Sequence, residues 1–220
     1  MRAAIVGISG VLGSETAKLG GGDFTVTAGF DERNPILKAK NADFDVIIEF
    51  ASPEATADTL AFAKKHGVPV VIGTTGHDEK GKAAIYAAAK KIPVMYASNF
   101  SLGAYALGKA AVRVKSLLPS AGITVVETHR KGKKDAPGGT AKDIAALLNC
   151  EDVFSVRRGD VVGIHEIIFD LGGGQTLTLR HDAGSRRAFS EGAIFAARKL
   201  MSLPAGLYGA DDIFGESDET

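Results

Sequence analysis

At 220 residues, with 45% hydrophobic and 24% charged residues, the chain has the composition of a globular protein of one or two domains. Lysine plus arginine and aspartate plus glutamate balance at 26 each, so no global positive field favours nucleic acid, and no apolar run approaches the ~18 residues of a membrane span. The sole cysteine, Cys150, excludes an internal disulfide and a cysteine-based zinc site.

The first strand is expected over 3–6, close enough to Met1 to leave no room for the apolar core of a signal peptide, which predicts a cytoplasmic protein. A glycine turn and a helix over 14–19 follow, then strands over 24–30 and 46–50. Ser52-Pro53 reads as a helix cap with proline at the first helical position, and His66-Gly67 as that helix's end. Strands over 68–72 and 92–96 flank a helix over 80–91. Strand–helix alternation with short connections predicts a Rossmann-type doubly wound parallel sheet.

The pattern then changes. A long amphipathic helix over 102–118 stops at Pro119, and a strand over 123–127 leads into a basic loop. A helix over 140–148 precedes strand-like runs at 153–157, 161–169 and 175–180, the last two joined by a glycine-rich hairpin over 170–174. This predicts a second α+β domain on a mostly antiparallel or mixed sheet. A helix over 190–202 and an acidic tail over 211–220 finish the chain. The expected division is a dinucleotide domain over 1–100, rejoined by 187–220, and a substrate and assembly domain over 101–186.

Gly7-Ile8-Ser9-Gly10-Val11-Leu12-Gly13 follows the first strand and opens the first helix, where a dinucleotide's pyrophosphate binds. The spacing is G-x-x-G-x-x-G instead of the usual G-x-G-x-x-G, so a structural glycine turn remains a competing reading. Asp31, at the end of the second strand, is placed to bind ribose hydroxyls, or else to cap a turn. Arg33 is placed to meet a 2′-phosphate. Gly73-Thr74-Thr75-Gly76 and Ala97-Ser98-Asn99-Phe100 end two further strands of the same sheet, on the edge where ligands bind.

The densest chemistry lies in His129-Arg130-Lys131-Gly132-Lys133-Lys134-Asp135-Ala136-Pro137-Gly138-Gly139-Thr140. Four cations and a histidine precede a turn whose last residues start a helix, so Gly138, Gly139 and Thr140 are expected to present free N–H groups and a hydroxyl to an anion. A solvated basic loop, or a patch for polyanions, is the plain alternative. His165 and His181 read as sheet residues, His66 as a helix end and His77 as a loop residue. The acids show no metal-ligand spacing, and no metal is assigned.

Read together, these segments resemble the 4-hydroxy-tetrahydrodipicolinate reductase (dihydrodipicolinate reductase) family of diaminopimelate and lysine biosynthesis. The matching blocks run in order through nearly the whole chain. They include the Gly7 loop, the Phe50 to Glu54 block, Gly73-Thr74-Thr75-Gly76, Ser98 to Gly103, Glu127-Thr128-His129, Lys133-Lys134-Asp135-Ala136-Pro137 with Gly139-Thr140-Ala141, Arg158 to Gly163, His165, and Ser185-Arg186. The resemblance implies hydride transfer from NADH or NADPH to C4 of a cyclic dicarboxylate, with loss of water. It implies His129 as the acid/base residue and Lys133 as the second catalytic group. Arg130, Gly139, Thr140 and Arg186 would bind substrate. Gly7, Ile8, Ser9, Gly10, Val11, Leu12, Gly73, Thr74, Thr75, Ala97, Ser98, Asn99 and Phe100 would contact cofactor. It also implies a homotetramer, while the charge balance and hydropathy predict no nucleic-acid or membrane partner.

Three positions depart from the family. Arg130 replaces a second histidine, keeping a carboxylate donor that cannot titrate. Gly138 stands where a serine is common, and Val11 where a basic residue is frequent. The segments over 32–45 and before Val161 are short, so the chain resembles a compact variant. A reductase of another small acid, or a catalytically silent dinucleotide-binding regulator, are the remaining alternatives.

Overall fold

A computed structural model of the chain describes residues 1–215, which divide into two compact units, Met1–Phe100 with the described part of Phe189–Thr220, and Ser101–Ala188.

The first unit is a six-stranded sheet of β1 (Arg2–Val6), β2 (Thr25–Phe30), β3 (Val46–Glu49), β4 (Val70–Ile72), β5 (Pro93–Tyr96) and β10 (Gly206–Tyr208). The strand order is β10-β5-β4-β3-β1-β2, and every pairing is parallel. Such a sheet is buried on both faces, which is why Ala3 to Val6 and Val46 to Ile48 are continuous apolar runs with almost no exposure. One face packs against α2 (Pro53–His66) and α3 (Glu79–Ala89) through Leu60, Phe62, Ala63, Ile85 and Ala88. The other is covered from the C-terminal end by Ile194, Ala197 and Leu200 of α6 (Arg187–Leu200), with Ile213 of α7 (Ala210–Phe214). Burying each such aliphatic side chain stabilises by about 1.5–3 kcal/mol. That demand is why α6 returns to the first unit.

The caps of α2 follow the expected chemistry: Ser52 accepts from the Ala55 N–H, Pro53 opens the helix, and Gly67 closes it at φ +69°. The acidic tail needs correction. Its described part forms α7, anchored by a fully buried Ile213, while 216–220 lie outside the described residues. β10 was also missed, because three residues carry too little periodicity.

The second unit is a four-stranded mixed sheet of β6 (Gly122–His129), β7 (Val153–Arg157), β8 (Ile164–Gly172) and β9 (Gln175–Asp182), in the order β7-β6-β8-β9. β6 and β7 are parallel, and the other two pairings are antiparallel. α4 (Leu102–Leu117) and α5 (Gly139–Leu148) cover part of one face through Leu107, Ala111, Ile144 and Leu148, which meet Val125, Ile167 and Phe169. Two boundaries differ from expectation. β6 runs on to His129, and residues 161–163 are not strand, because Val162 and Gly163 serve the His129 ring instead. Among the described residues, no helix is long and apolar enough to cross a membrane.

Candidate active site

In the first unit, the strand order reverses between β1 and β3, and the loops after these strands meet there. Gly7 has φ +83°, and a Cβ on it would stand 2.1 Å from the Phe50 carbonyl oxygen. A Cβ on Gly13 would stand 2.1 Å from the Gly7 carbonyl oxygen. Neither position admits a side chain, so the 7–13 backbone folds tightly against the start of α1 (Val11–Lys18). Gly10 caps α1 without any side-chain bond, leaving the first-turn N–H groups open to a ligand, and Ser9, Gly10 and Val11 are exposed there. Ile8 and Leu12 are half-buried behind them. This cradle fits a dinucleotide pyrophosphate, and the unusual glycine spacing is therefore no obstacle.

Asp31 follows β2 directly. Its Oδ1 accepts from the backbone N–H groups of Arg33, at 3.0 Å, and Asn34, at 3.1 Å. The Asn34 bond chiefly holds its carboxyl below the usual aspartate range, so Asp31 is both a turn former and a fixed negative charge. Arg33 is exposed beside it.

The two later loops meet through one aromatic contact that the sequence did not single out. Phe50 packs edge-on against Phe100, with centroids 6.0 Å apart, and a Cβ on Gly73 would lie 2.3 Å from the Phe50 ring. Thr75 and Ser98 are exposed, Ala97 and Asn99 are half-buried, and Phe100 is buried. Thr74 turns inward: its hydroxyl accepts from the Ala51 N–H and donates to Glu49.

In the second unit, strand register assembles the site. Glu127 and His129 are two residues apart on β6 and so share a face. Glu127 pairs with Ser155 on β7 and His165 on β8, His129 pairs with Arg157, and His165 pairs with His181 on β9. The face that is apolar beneath α4 and α5 thus becomes polar at its far end.

Glu127 is fully buried. Its Oε1 accepts from Arg157 at 2.7 Å, Ser155 at 2.8 Å and the Gly138 N–H at 3.0 Å. Burial alone would raise its pKa, but those donors together outweigh it and keep the carboxylate ionised. Oε2 has no hydrogen-bond partner and lies 3.4 Å from His129 Nε2. On the opposite side of that ring, Nδ1 is 2.7 Å from the Val162 carbonyl, which can only accept, so Nδ1 carries a hydrogen. Nε2 is therefore the nitrogen that gains and loses the proton, and when the ring is charged the carboxylate 3.4 Å away stabilises it as an ion pair. Burial, the largest influence, lowers the His129 pKa, which makes its proton easier to release.

His165 is 4% exposed, neither ring nitrogen has a hydrogen-bond partner, and burial pushes its pKa down to about 4. Its ring stands edge-on to His129, with centroids 5.5 Å apart. The donor atoms of Glu127, His129 and His165 all lie within 4.8 Å of one another, a grouping that sequence spacing concealed. A divalent metal could use such donors, but Arg157 already bonds the carboxylate, and that charge suits proton transfer better than a second cation.

The loop after β6 brings Lys133 in, half-buried and ion-paired with Asp135. Arg157 also donates to the Asp135 carbonyl, tying loop to sheet. A Cβ on Gly138 would fall 2.8 Å from Glu127 Oε2 and 3.1 Å from Lys133 Nζ, so a serine here would have to displace both groups. Gly138 caps α5 without a side-chain bond; contrary to expectation its N–H is not free for an anion, because the buried Glu127 carboxylate takes it, and Gly139 is exposed at the helix start beside half-buried Thr140. Arg130 is exposed, its guanidinium set against Gly132, and Arg186 is half-buried in the turn before α6. Glu127, Asp135, Ser155, Arg157 and His165 were not recognised as site residues from the sequence.

Two family models match the chain: "Dihydrodipicolinate reductase, N-terminus" over residues 1–100 and "Dihydrodipicolinate reductase, C-terminus" over 103–214. A 4-hydroxy-tetrahydrodipicolinate reductase of Alkaliphilus metalliredigens is 35% identical, with 98% of this chain and 99% of that protein covered. One of Xanthomonas campestris pv. campestris is 40% identical, with 77% and 73% covered. The structure of a dipicolinate-bound dihydrodipicolinate reductase from Paenisporosarcina sp. TG-14 superposes with a TM-score of 0.77 at 23% identity, covering 96% of this chain and 98% of that one, a likeness of fold.

Proposed function

The chain belongs to the dihydrodipicolinate reductase family, and from that premise we propose that it reduces 4-hydroxy-tetrahydrodipicolinate to tetrahydrodipicolinate with NAD(P)H, releasing water, in diaminopimelate and lysine biosynthesis. The nucleotide is assigned to the first unit and the dicarboxylate to the second. The observation that carries the chemistry is His129, fixed through Nδ1 on Val162 and facing Glu127 through Nε2, with Lys133 nearby.

The bound nicotinamide supplies the hydride that enters at C4. The chain's own residues must then hold two carboxylates and furnish the proton that leaves with the hydroxyl as water. The helix start at Gly139 and Thr140 suits one carboxylate, and Lys133, Arg130 and Arg186 supply the cationic contacts. His129 is the proton donor at Nε2. Glu127 stabilises the charged imidazolium before transfer, and Arg157 keeps Glu127 ionised so that it can do so.

Both nucleotides should work, with NADH at least as good as NADPH. The ionised Asp31 favours free ribose hydroxyls and repels a 2′-phosphate, and Val11 adds no cation to the first loop. Arg33, exposed beside Asp31, is suited to that phosphate. Steady-state assays with freshly condensed pyruvate and aspartate semialdehyde test both points. Nucleotide oxidation should depend on the condensation product, and Arg33→Ala should impair NADPH use more than NADH use. No turnover with either nucleotide would reject the reductase reading, and a preference for NADPH of about 100-fold, roughly 2.7 kcal/mol, would reject the role given to Asp31.

A homotetramer built on the second sheet also fits. The face turned away from α4 and α5 exposes Phe154 and Val156 at 58% and 40%, apolar surface that an interface would cover. Phe154→Asp combined with Val156→Asp should convert the tetramer to smaller species in light scattering. An unchanged tetramer would place the interface elsewhere.

A further inference from the structure

The first unit holds a buried acid, Glu49, that takes no part in the chemistry of the second. Glu49 ends β3 between Val6 of β1 and Ile72 of β4, the strands that lead into the two glycine loops. Its side chain is fully buried. Oε1 accepts two hydroxyls at once, Thr56 at 2.5 Å and Thr74 at 2.9 Å. Thr74 in turn accepts from the Ala51 N–H at 3.0 Å, and Thr56 lies 2.9 Å from His77 Nε2. With the single hydrogen of Thr56 given to Glu49, His77 must carry its hydrogen on Nε2 and donate. The chain of bonds thus runs from α2 and His77 through Glu49 into the 73–76 loop.

We propose that Glu49 is a positioning residue for nucleotide binding, its carboxyl setting the conformation of the 73–76 loop by holding Thr74 from inside the sheet. The inference rests on the reading of that loop as a nucleotide contact. Packing alone does not account for this residue. Glu49 Oε2 has no hydrogen-bond partner, and an unpaired buried polar atom costs stability that an apolar side chain of the same size would avoid. The side chains bonded to the carboxyl are hydroxyls, not cations, and burial pushes its pKa up. A carboxamide presents the same carbonyl acceptor to both threonines. A thioether presents none.

The experiment is direct titration of NADH into the full chain, free of substrate, with the substrate KM measured alongside. Glu49→Met and Thr74→Val should each weaken NADH binding about tenfold, ~1.4 kcal/mol, and leave the substrate KM unchanged. Glu49→Gln and Thr74→Ser should stay within about threefold of the parent, less than ~1 kcal/mol. The melting temperature of Glu49→Met should not fall, since the lost bonds are replaced by apolar contact. NADH affinity unchanged in the Met and Val variants, or Gln as weak as Met, overturns the proposal. If Glu49→Met fails to fold, Thr74→Val against Thr74→Ser decides the same question. Absence of NADH and NADPH binding in the parent chain would instead reject the nucleotide reading itself, so the two failures are distinguishable.

Discussion

Replacing His129 by glutamine should lower kcat by about 10²- to 10⁴-fold, the usual contribution of a positioned general acid. Glutamine can still hydrogen-bond the Val162 carbonyl and occupy the space beside Gly163, so folding and ligand contacts should be little disturbed. It cannot carry a proton. The loss should therefore fall on kcat, with nucleotide affinity close to that of the parent. The acid is well prepared for release: burial lowers its pKa, while Glu127 Oε2 at 3.4 Å offers the charged ring its one carboxylate contact. A dianionic substrate beside the ring would raise that pKa again on binding, loading the proton when it is needed. Steady-state kinetics at saturating nucleotide provide the measurement. A kcat within a few-fold of the parent would move proton transfer to another group, Lys133 first.

The first sheet was readable because a buried parallel strand is a continuous apolar run, and Ala3 to Val6 and Val46 to Ile48 have no other reading once bounded by glycine and proline signals. The cofactor edge was readable for the same reason, since the turns sit where those runs end. The second unit was harder. Strand β6 ends in Glu127-Thr128-His129, and the polar ending looks like loop until its neighbours are known. What makes it a strand is pairing with His165, 38 residues on, and with Ser155 and Arg157 on β7. Register of this kind is set by tertiary packing and leaves no local trace. The cluster of Glu127, His129 and His165 was therefore invisible as a spacing, although each residue stood in a block that the family resemblance covers. Thr74 shows what a motif leaves out: it marks the loop at the sheet edge, but not that the Thr74 hydroxyl turns inward to Glu49.

Acid should destabilise the second unit through His165 in a defined window. The folded-state pKa is about 4 because burial, then the neighbouring His129, oppose a charge there, whereas an unfolded histidine titrates near 6.5. Between those values the unfolded chain binds more protons than the native one. Stability is therefore complete above pH ~6.5, falls by about 1.4 kcal/mol per pH unit below it, and stops falling on this account near pH 4, a total of roughly 3 kcal/mol. His165→Asn removes the titration. Urea unfolding at a series of pH values should show the parent losing roughly 2–3 kcal/mol more than the variant between pH 7 and pH 4.5. Parallel curves would mean that His165 is solvated and titrates normally. The same depression bears on catalysis. A charge on His165 would face the His129 imidazolium across 5.5 Å between ring centres, a repulsion of about 3 kcal/mol at an effective dielectric of 20. Keeping His165 neutral at working pH is thus a condition for His129 to hold the proton that it must deliver.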